Sequence, residues 1–343
     1  MRLPGSCAVG AKVNIWYIRQ LERLKDMKFV ALGKTGIEVS VLGMGGHEYL
    51  PDGKSRGFNE DFQKSTTPGM ILEGFGNENR LKVLKKAYEL GINFFDVTQD
   101  SEKEALGRNL KQMPPPHEIY VQTRPEGMVY TYDKNNVKMG NLELLRTEVQ
   151  RILRLLQRDA IDFLNIAPMK CAFDHDPEYL EKLGHNIAAL KKEGLIRFAC
   201  ADTFSGEETY LRMIESSYFD VIYINLNFAD HQAGNKVFKA AKAQGMGIIS
   251  REAYMKGQLF QMAKEAGITD TKALADAALR WCLMQEGVDM VIYGTGKVDH
   301  LINAAEAFNK PFTRDDQVLI DQIKTTELYR KYESDKIAEF MQK

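Results

Sequence analysis

From residue 28 onward, short runs of β-branched and other apolar residues alternate with stretches whose apolar positions recur at helical spacing. That alternation predicts a parallel sheet with crossover helices. A hairpin comes first, over residues 28–32 and 37–40, with Gly33-Lys34-Thr35-Gly36 as its tight turn. Strands are then expected at 39–44, 93–96, 118–123, 160–166, 196–201, 221–225, 247–250 and 290–293. Helices are expected between them at 77–90, 101–111, 141–157, 177–193, 206–217, 234–244, 272–284 and 298–308. In the first, Leu81, Val83, Leu84, Ala87 and Leu90 share one face; in the second, Ser101 and Glu104 have the spacing of a capping box. A last helix covers 314–327, and a charged tail follows. Eight strand–helix units in one chain favour closure, so the predicted fold is an α/β (β/α)8 TIM barrel with an N-terminal hairpin and an extra C-terminal helix.

Three stretches break the pattern. Residues 1–26 are basic and contain no clear strand; they read as an overextended start or a loosely attached leader, expected to be disordered and outside a single domain over 27–343. Residues 47–76 join the first strand to the first helix without regular periodicity, far beyond the ~12–15 residues usual for a loop. They lie on the face where barrel enzymes keep their sites, so they are either a lid or disordered. Gly33-Lys34-Thr35 invites a phosphate-loop reading that fails, because position 28 is lysine and a strand follows instead of a helix.

Composition narrows the class without naming a function. The 343 residues are 44% hydrophobic and 27% charged with a net charge of −1, which gives no reason to expect nucleic acid or a membrane surface as partner. No apolar run reaches the ~18 residues of a membrane span. Cys7, Cys171, Cys200 and Cys282 show no metal or redox spacing, and Cys200 and Cys282 sit in apolar runs as packed thiols. A reducing cytoplasm suits that pattern, no metal is expected, and the oligomeric state is left open.

Several strings, in order and at the right spacing, resemble the aldo-keto reductases and together cover residues 28–310. They are Leu32-Gly33-Lys34-Thr35-Gly36-Ile37 through Gly43; Gly91-Ile92-Asn93-Phe94-Phe95-Asp96 with Ser101-Glu102 and Leu106-Gly107; Gly194-Leu195-Ile196-Arg197; Ala278-Leu279-Arg280-Trp281; and Val291-Ile292-Tyr293-Gly294. The resemblance implies an oxidoreductase that takes NADPH and a small-molecule carbonyl or alcohol substrate. It also implies a catalytic aspartate, tyrosine, lysine and histidine. The aspartate falls on Asp96; the other three positions fall on Ser101, Arg124 and Ala167. An arginine supplies charge and bidentate hydrogen bonds but no proton near neutral pH, so the proton donor must be atypical. His47 and Tyr49 are candidates from the first strand's exit, and Tyr130, Tyr132 and Tyr254 from other top-face loops.

The same resemblance places the cofactor against Asp202, Thr203, Tyr223 and Arg251, and its phosphates against Gly294, Thr295, Gly296, Lys297 and His300. The glycine turn leading into a helix has independent physical content, because free N–H groups beside a lysine make an anion site, with Arg251 expected nearby. Asp96, Asp202, Glu252, Arg124 and Arg251 all fall at strand ends. They predict either a site, possessing an Asp96–Arg124 pair that turns Arg124 toward an anionic substrate, or an internal ion-pair network. Two other functions stay open: non-redox lyase or isomerase chemistry on the same barrel, and a non-catalytic binding or regulatory relative.

Overall fold

Eight short strands, almost wholly buried, hydrogen-bond in parallel around a closed ring. In a computed structural model that describes residues 27–50, 53–129 and 133–341, they are β3 Leu42–Gly45, β4 Phe94–Val97, β5 Tyr120–Thr123, β6 Ile161–Ile166, β7 Ile196–Ala201, β8 Val221–Asn225, β9 Gly247–Arg251 and β10 Met290–Tyr293. They run in sequence order, and β10 closes on β3 through Val291 opposite Leu42. Two-residue alternation sends Phe94, Tyr120, Phe163, Cys200, Val221, Ile249 and Met290 into one cluster with Ile292 inside the ring. Each large apolar side chain so buried contributes roughly 1.5–3 kcal/mol. The opposite faces of the strands pack under the surrounding helices.

The hairpin, β1 Phe29–Ala31 and β2 Glu38–Ser40, plugs the N-terminal end of the barrel. Leu32, Ile37 and Val39 join the interior cluster, and the Lys34 N–H donates to Gly245 O at 2.8 Å. Gly33 is required here: its φ is +52° and a Cβ would come within 2.2 Å of Gly247 N. With that end sealed, only the C-terminal end remains to hold a site.

Three departures from the sequence pattern concern that end. The stretch 47–76 carries a short helix, Phe62–Ser65, and is pinned to the helix Asp100–Gln112. The Gly69 N–H donates to Asp100 Oδ2 at 2.6 Å and the Leu72 N–H to Ser101 Oγ at 2.9 Å. These bonds overturn the expected capping box, since the helix begins one residue earlier, at Asp100, with Gln99 as its N-cap, and the Ser101 hydroxyl serves the covering loop. The charged tail is also helical. The helix Arg314–Lys324 ends, and a further helix, Glu327–Phe340, starts on Thr326, whose hydroxyl accepts the Tyr329 N–H. Its Tyr329 stacks on Phe228 and donates to Phe228 O at 3.0 Å, and Phe340 O packs so closely on Gly206 that a Cβ there would meet it at 2.3 Å. The last helix therefore covers the loops after β7 and β8. Two further short helices, Lys170–His175 and Gln258–Glu265, lie in connections to which the sequence pattern assigned no element. Residues 1–26 lie outside the described residues. Among the described residues no helix is long and apolar enough to cross a membrane.

Candidate active site at the barrel mouth

On one side of the mouth, the chain leaves β3 through Gly45-Gly46-His47. A Cβ on Gly46 would meet Glu102 Oε2 at 2.6 Å and Asp96 O at 3.0 Å, so only glycine lets the chain pass this close to the start of the next helix. The passage delivers His47 to Glu102: Nδ1 lies 2.6 Å from Oε1. A carboxylate only accepts, so Nδ1 carries the hydrogen and Nε2 is left free. The ring packs 5.2 Å from Phe58 and edge-on to Tyr49 at 6.4 Å, and a third of the side chain is exposed.

Glu102 itself is buried, and its oxygens also receive the Thr98 N–H at 2.8 Å, the Thr98 hydroxyl at 3.2 Å and Gln99 Nε2 at 3.1 Å. Burial would raise its pKa, but the His47 charge and hydrogen bond, the Thr98 N–H and Arg80 together hold it at about 2. For His47, burial works toward the neutral form. The charge and hydrogen bond of Glu102, aided by Asp96 and opposed by Arg124, outweigh it and raise the pKa above 6.5.

Asp96 ends β4 with two partners: the Tyr223 hydroxyl donates to Oδ2 at 2.6 Å and Gln122 Nε2 to Oδ1 at 3.1 Å. Burial, reinforced by the Glu102 charge, leaves its pKa raised despite those bonds. The expected Asp96–Arg124 pair does not form. Arg124 donates instead to Glu126, Nε to Oε2 at 2.7 Å and Nη2 to Oε1 at 3.3 Å, with both side chains almost fully buried. Pro125 and the turn Glu126–Met128 bring that carboxylate back beside the guanidinium. Arg124 acts on Asp96 and His47 through its field, without an ion-pair contact.

The opposite side, at the ends of β7, β8 and β9, is organised around Asp202. Its two oxygens accept Arg251 Nη1 and Nη2 at 2.8 and 2.9 Å, in the bidentate geometry that makes such pairs strong. Asn165 Nδ2 adds a bond at 3.2 Å, and the Tyr210 hydroxyl sits 3.1 Å from Oδ1 and 2.9 Å from Tyr223 O. Arg251 Nε donates to Asn225 Oδ1 at 2.6 Å, and the guanidinium lies 4.3 Å over the Tyr223 ring. Phe204 lies between cations, 5.6 Å from Arg251 and 5.9 Å from Arg124. Thr203 donates to Pro168 O at 2.7 Å. Asp202, Tyr223 and Arg251 are thus brought together, with Asp202 and Arg251 satisfying each other, while Tyr223 spends its hydroxyl on Asp96 and Thr203 on Pro168 O.

The third expected cluster stands apart. Thr295 Oγ1 accepts the Lys297 N–H at 3.1 Å, so the turn after β10 closes on itself ahead of the helix Val298–Ala307, which no side chain caps. Lys297 and His300 are exposed, and burial and Lys297 lower the His300 pKa. Tyr49 lies across this turn: a Cβ on Gly294 would meet its hydroxyl at 2.3 Å, and the nearest atoms to one on Gly296 include Tyr49. Arg251, at the end of the neighbouring strand β9, turns its guanidinium onto Asp202, Asn225 and the Tyr223 ring. Tyr254 packs on Tyr293 and Phe260, and Tyr130 and Tyr132 lie outside the described residues. Glu102, Glu126, Gln122, Asn165, Phe204 and Tyr210 escaped the sequence reading. Only Glu102 had a signal, its place in the Ser101-Glu102 string.

Comparison with known proteins gives a consistent picture. The sequence model of the Aldo/keto reductase family matches residues 67–273. A Schizosaccharomyces pombe protein named uncharacterized oxidoreductase C215.11c is 28% identical over 243 residues, which is 69% of this chain and 76% of that protein. The L-galactose dehydrogenase of Arabidopsis thaliana is 22% identical over 306 residues, 79% of this chain and 85% of that enzyme. Among solved structures, the aldo-keto reductase AKR11C1 of Bacillus halodurans in its holo form shares the fold. Its TM-score is 0.63 at 19% identity, covering 87% of this chain and 96% of that one.

Proposed function

The chain belongs to the aldo/keto reductase family, and from that premise we propose an NADPH-dependent oxidoreductase that interconverts a small carbonyl compound and its alcohol with a proton donor other than the family's tyrosine. The observation that carries this reading is the convergence of His47, Glu102, Asp96 and Arg124 on one side of the mouth, close enough for each to act on the others' charge. Carbonyl reduction needs such a place, because negative charge grows on oxygen as hydride reaches carbon and a nearby acid or cation lowers that cost.

A dinucleotide has two ends to satisfy. For its phosphates there is the uncapped start of the helix Val298–Ala307 with Lys297 beside it. For the carboxamide there are Gln122 Oε1 and Asn165 Oδ1, buried acceptors without a partner. Both amides already spend their N–H on a carboxylate, so each oxygen calls for a donor. Asp202 and Arg251 contribute shape and a neutralised charge to that pocket, since their hydrogen bonds are used on each other. The residues therefore fit the group, which when bound supplies the hydride. The chain's own part is to orient the carbonyl oxygen, to keep Arg124 and Asp96 at fixed charge, and to deliver or accept the proton. Placed where the loop 47–76 folds over the mouth, the reacting atoms would also be shielded from water.

One observation favours a second reading, a binding relative without hydride transfer: Asp202 and Arg251 spend their hydrogen bonds on each other and on Asn165, Asn225 and Tyr210. Calorimetric titration with NADPH and NADH separates the two. Binding of NADPH, tighter than NADH, supports the oxidoreductase; binding of neither overturns it in favour of the second reading.

A further inference from the structure

Among the described residues at the mouth, the hydroxyl of Tyr210 is spent on Tyr223 O and Asp202, and other candidate proton holders are turned to other tasks. Tyr223 gives its hydrogen to Asp96, and burial with the Asp96 charge pushes its ionisation far up. Arg124 keeps its protons at any ordinary pH. The Tyr49 hydroxyl lies against Gly294 of the turn after β10, and burial pushes its ionisation far above the usual range. His47 remains, held at Nδ1 by a carboxylate and open at Nε2.

We propose that His47 is the general acid of this site and that Glu102 is its positioning residue. The proposal rests on the oxidoreductase reading above. In the reducing direction NADPH, when bound, would supply a hydride to the carbonyl carbon and leave oxidised; as the π pair moves to oxygen, His47 gives up its Nε2–H proton to that oxygen. The imidazolium becomes neutral imidazole and regains a proton from water at its exposed edge. Glu102 makes this work in two ways. Its hydrogen bond fixes the ring so that Nε2 alone faces outward, and its charge keeps the imidazolium populated at neutral pH.

Several elements pack charged or aromatic groups against the ring. Glu102 comes from the helix Asp100–Gln112, Asp96 from β4 and Arg124 from β5, and the aromatic walls Tyr49 and Phe58 come from the covering loop. Arg80, on the helix Glu78–Glu89, donates to Gly45 O at 2.6 Å and adds its charge opposite Glu102. The direct contact of Glu102, aided by Asp96 and opposed by Arg124, leaves the histidine's charged form favoured.

The test compares the full chain with His47→Gln, using 4-nitrobenzaldehyde and NADPH from pH 5.5 to 9. Affinity for NADPH is read by calorimetry and the His47 ring by NMR titration. Expected are an unchanged NADPH dissociation constant, a turnover about 10²–10³-fold lower in H47Q, and a wild-type turnover that falls as pH rises through the NMR-determined His47 pKa. Loss of that pH limb in H47Q completes the case. In Glu102→Gln the limb should move to lower pH together with the NMR pKa. Wild-type turnover with an H47Q rate within threefold and the same pH profile would overturn the acid while sparing the oxidoreductase reading. Failure of the wild-type chain to bind NADPH would overturn both.

Discussion

The two sides of the barrel mouth use similar residues in opposite ways. Around β7–β9, Asp202 and Arg251 are locked in a bidentate pair, capped by Asn165, Asn225 and Tyr210 and stacked on Tyr223, with Asp202 fully buried. Around β3–β5, the acid–base pair His47–Glu102 is anchored at one end and open at the other. A charge whose every hydrogen bond is spent inside the protein stabilises or specifies a fold. A charge with one face left over can act on something else. The difference suggests that chemistry belongs to the β3–β5 side and that the β7–β9 side is architecture.

The strongest way to break that comparison is to remove one member of the locked pair. Arg251→Met or Asp202→Asn alone should lower stability by ~3–5 kcal/mol, because each strands the other's buried charge or its donors. The double change should cost clearly less than the sum. Urea unfolding of the two single variants and the double variant reads this directly. Single variants that lose little stability, yet lose ligand binding, would move Arg251 from architecture to the site.

How much of this was legible in the sequence follows the same division. The strands at 196–201, 221–225 and 290–293 match their observed limits because period-two burial and flanking turns are local properties. The mouth charges were legible by position, since strand ends are fixed once the strands are. Their partners were not. Glu126 captures Arg124 through a turn after Pro125, and Tyr223 reaches Asp96 from 127 residues away across the barrel. Neither choice has a signature in spacing. The final helix shows the intermediate case: Thr326 ahead of Glu327-Leu328-Tyr329 is a capping signal, but the weak apolar stripe that follows reads as a charged tail until Phe228 and Gly206 are seen to receive it.

The seam under that last helix gives the next largest effect. Asp230, between β8 and the helix, is pushed up to about 7 by burial, reinforced by Glu252 and Glu339 and opposed by Lys336 and Arg251. A carboxyl whose folded pKa exceeds its unfolded value of 3.8 binds its proton more tightly when folded. Its contribution to stability is therefore complete below about pH 4 and is lost as pH rises through about 7. Over that window wild type should lose roughly 2–4 kcal/mol from this group, and Asp230→Asn should remove that slope. Denaturant midpoints of both proteins from pH 4.5 to 7.5 measure the difference. Parallel curves would mean that Asp230 titrates normally and that the β7–β9 side is less closed than its contacts imply.

The smallest expected effect asks whether a third region, the turn after β10, binds anything. Lys297 is exposed beside an uncapped helix start, and Thr295 holds the turn by accepting the Lys297 N–H. An exposed cation at such a place is worth about 1 kcal/mol toward a bound anion. His300 adds little, because burial and Lys297 keep its pKa below 6.5 and its ring mostly neutral near pH 7. NADPH carries a 2′-phosphate that NADH lacks, so Lys297→Ala should raise the NADPH dissociation constant about 5-fold and leave that of NADH nearly unchanged. The contrast matters more than its size. A general loss of positive charge would weaken both nucleotides through their shared pyrophosphate, whereas a contact to the extra phosphate weakens one. Equal effects on the two would therefore detach the 2′-phosphate from this turn, and the chain's preference between them would have to be sought elsewhere around the mouth.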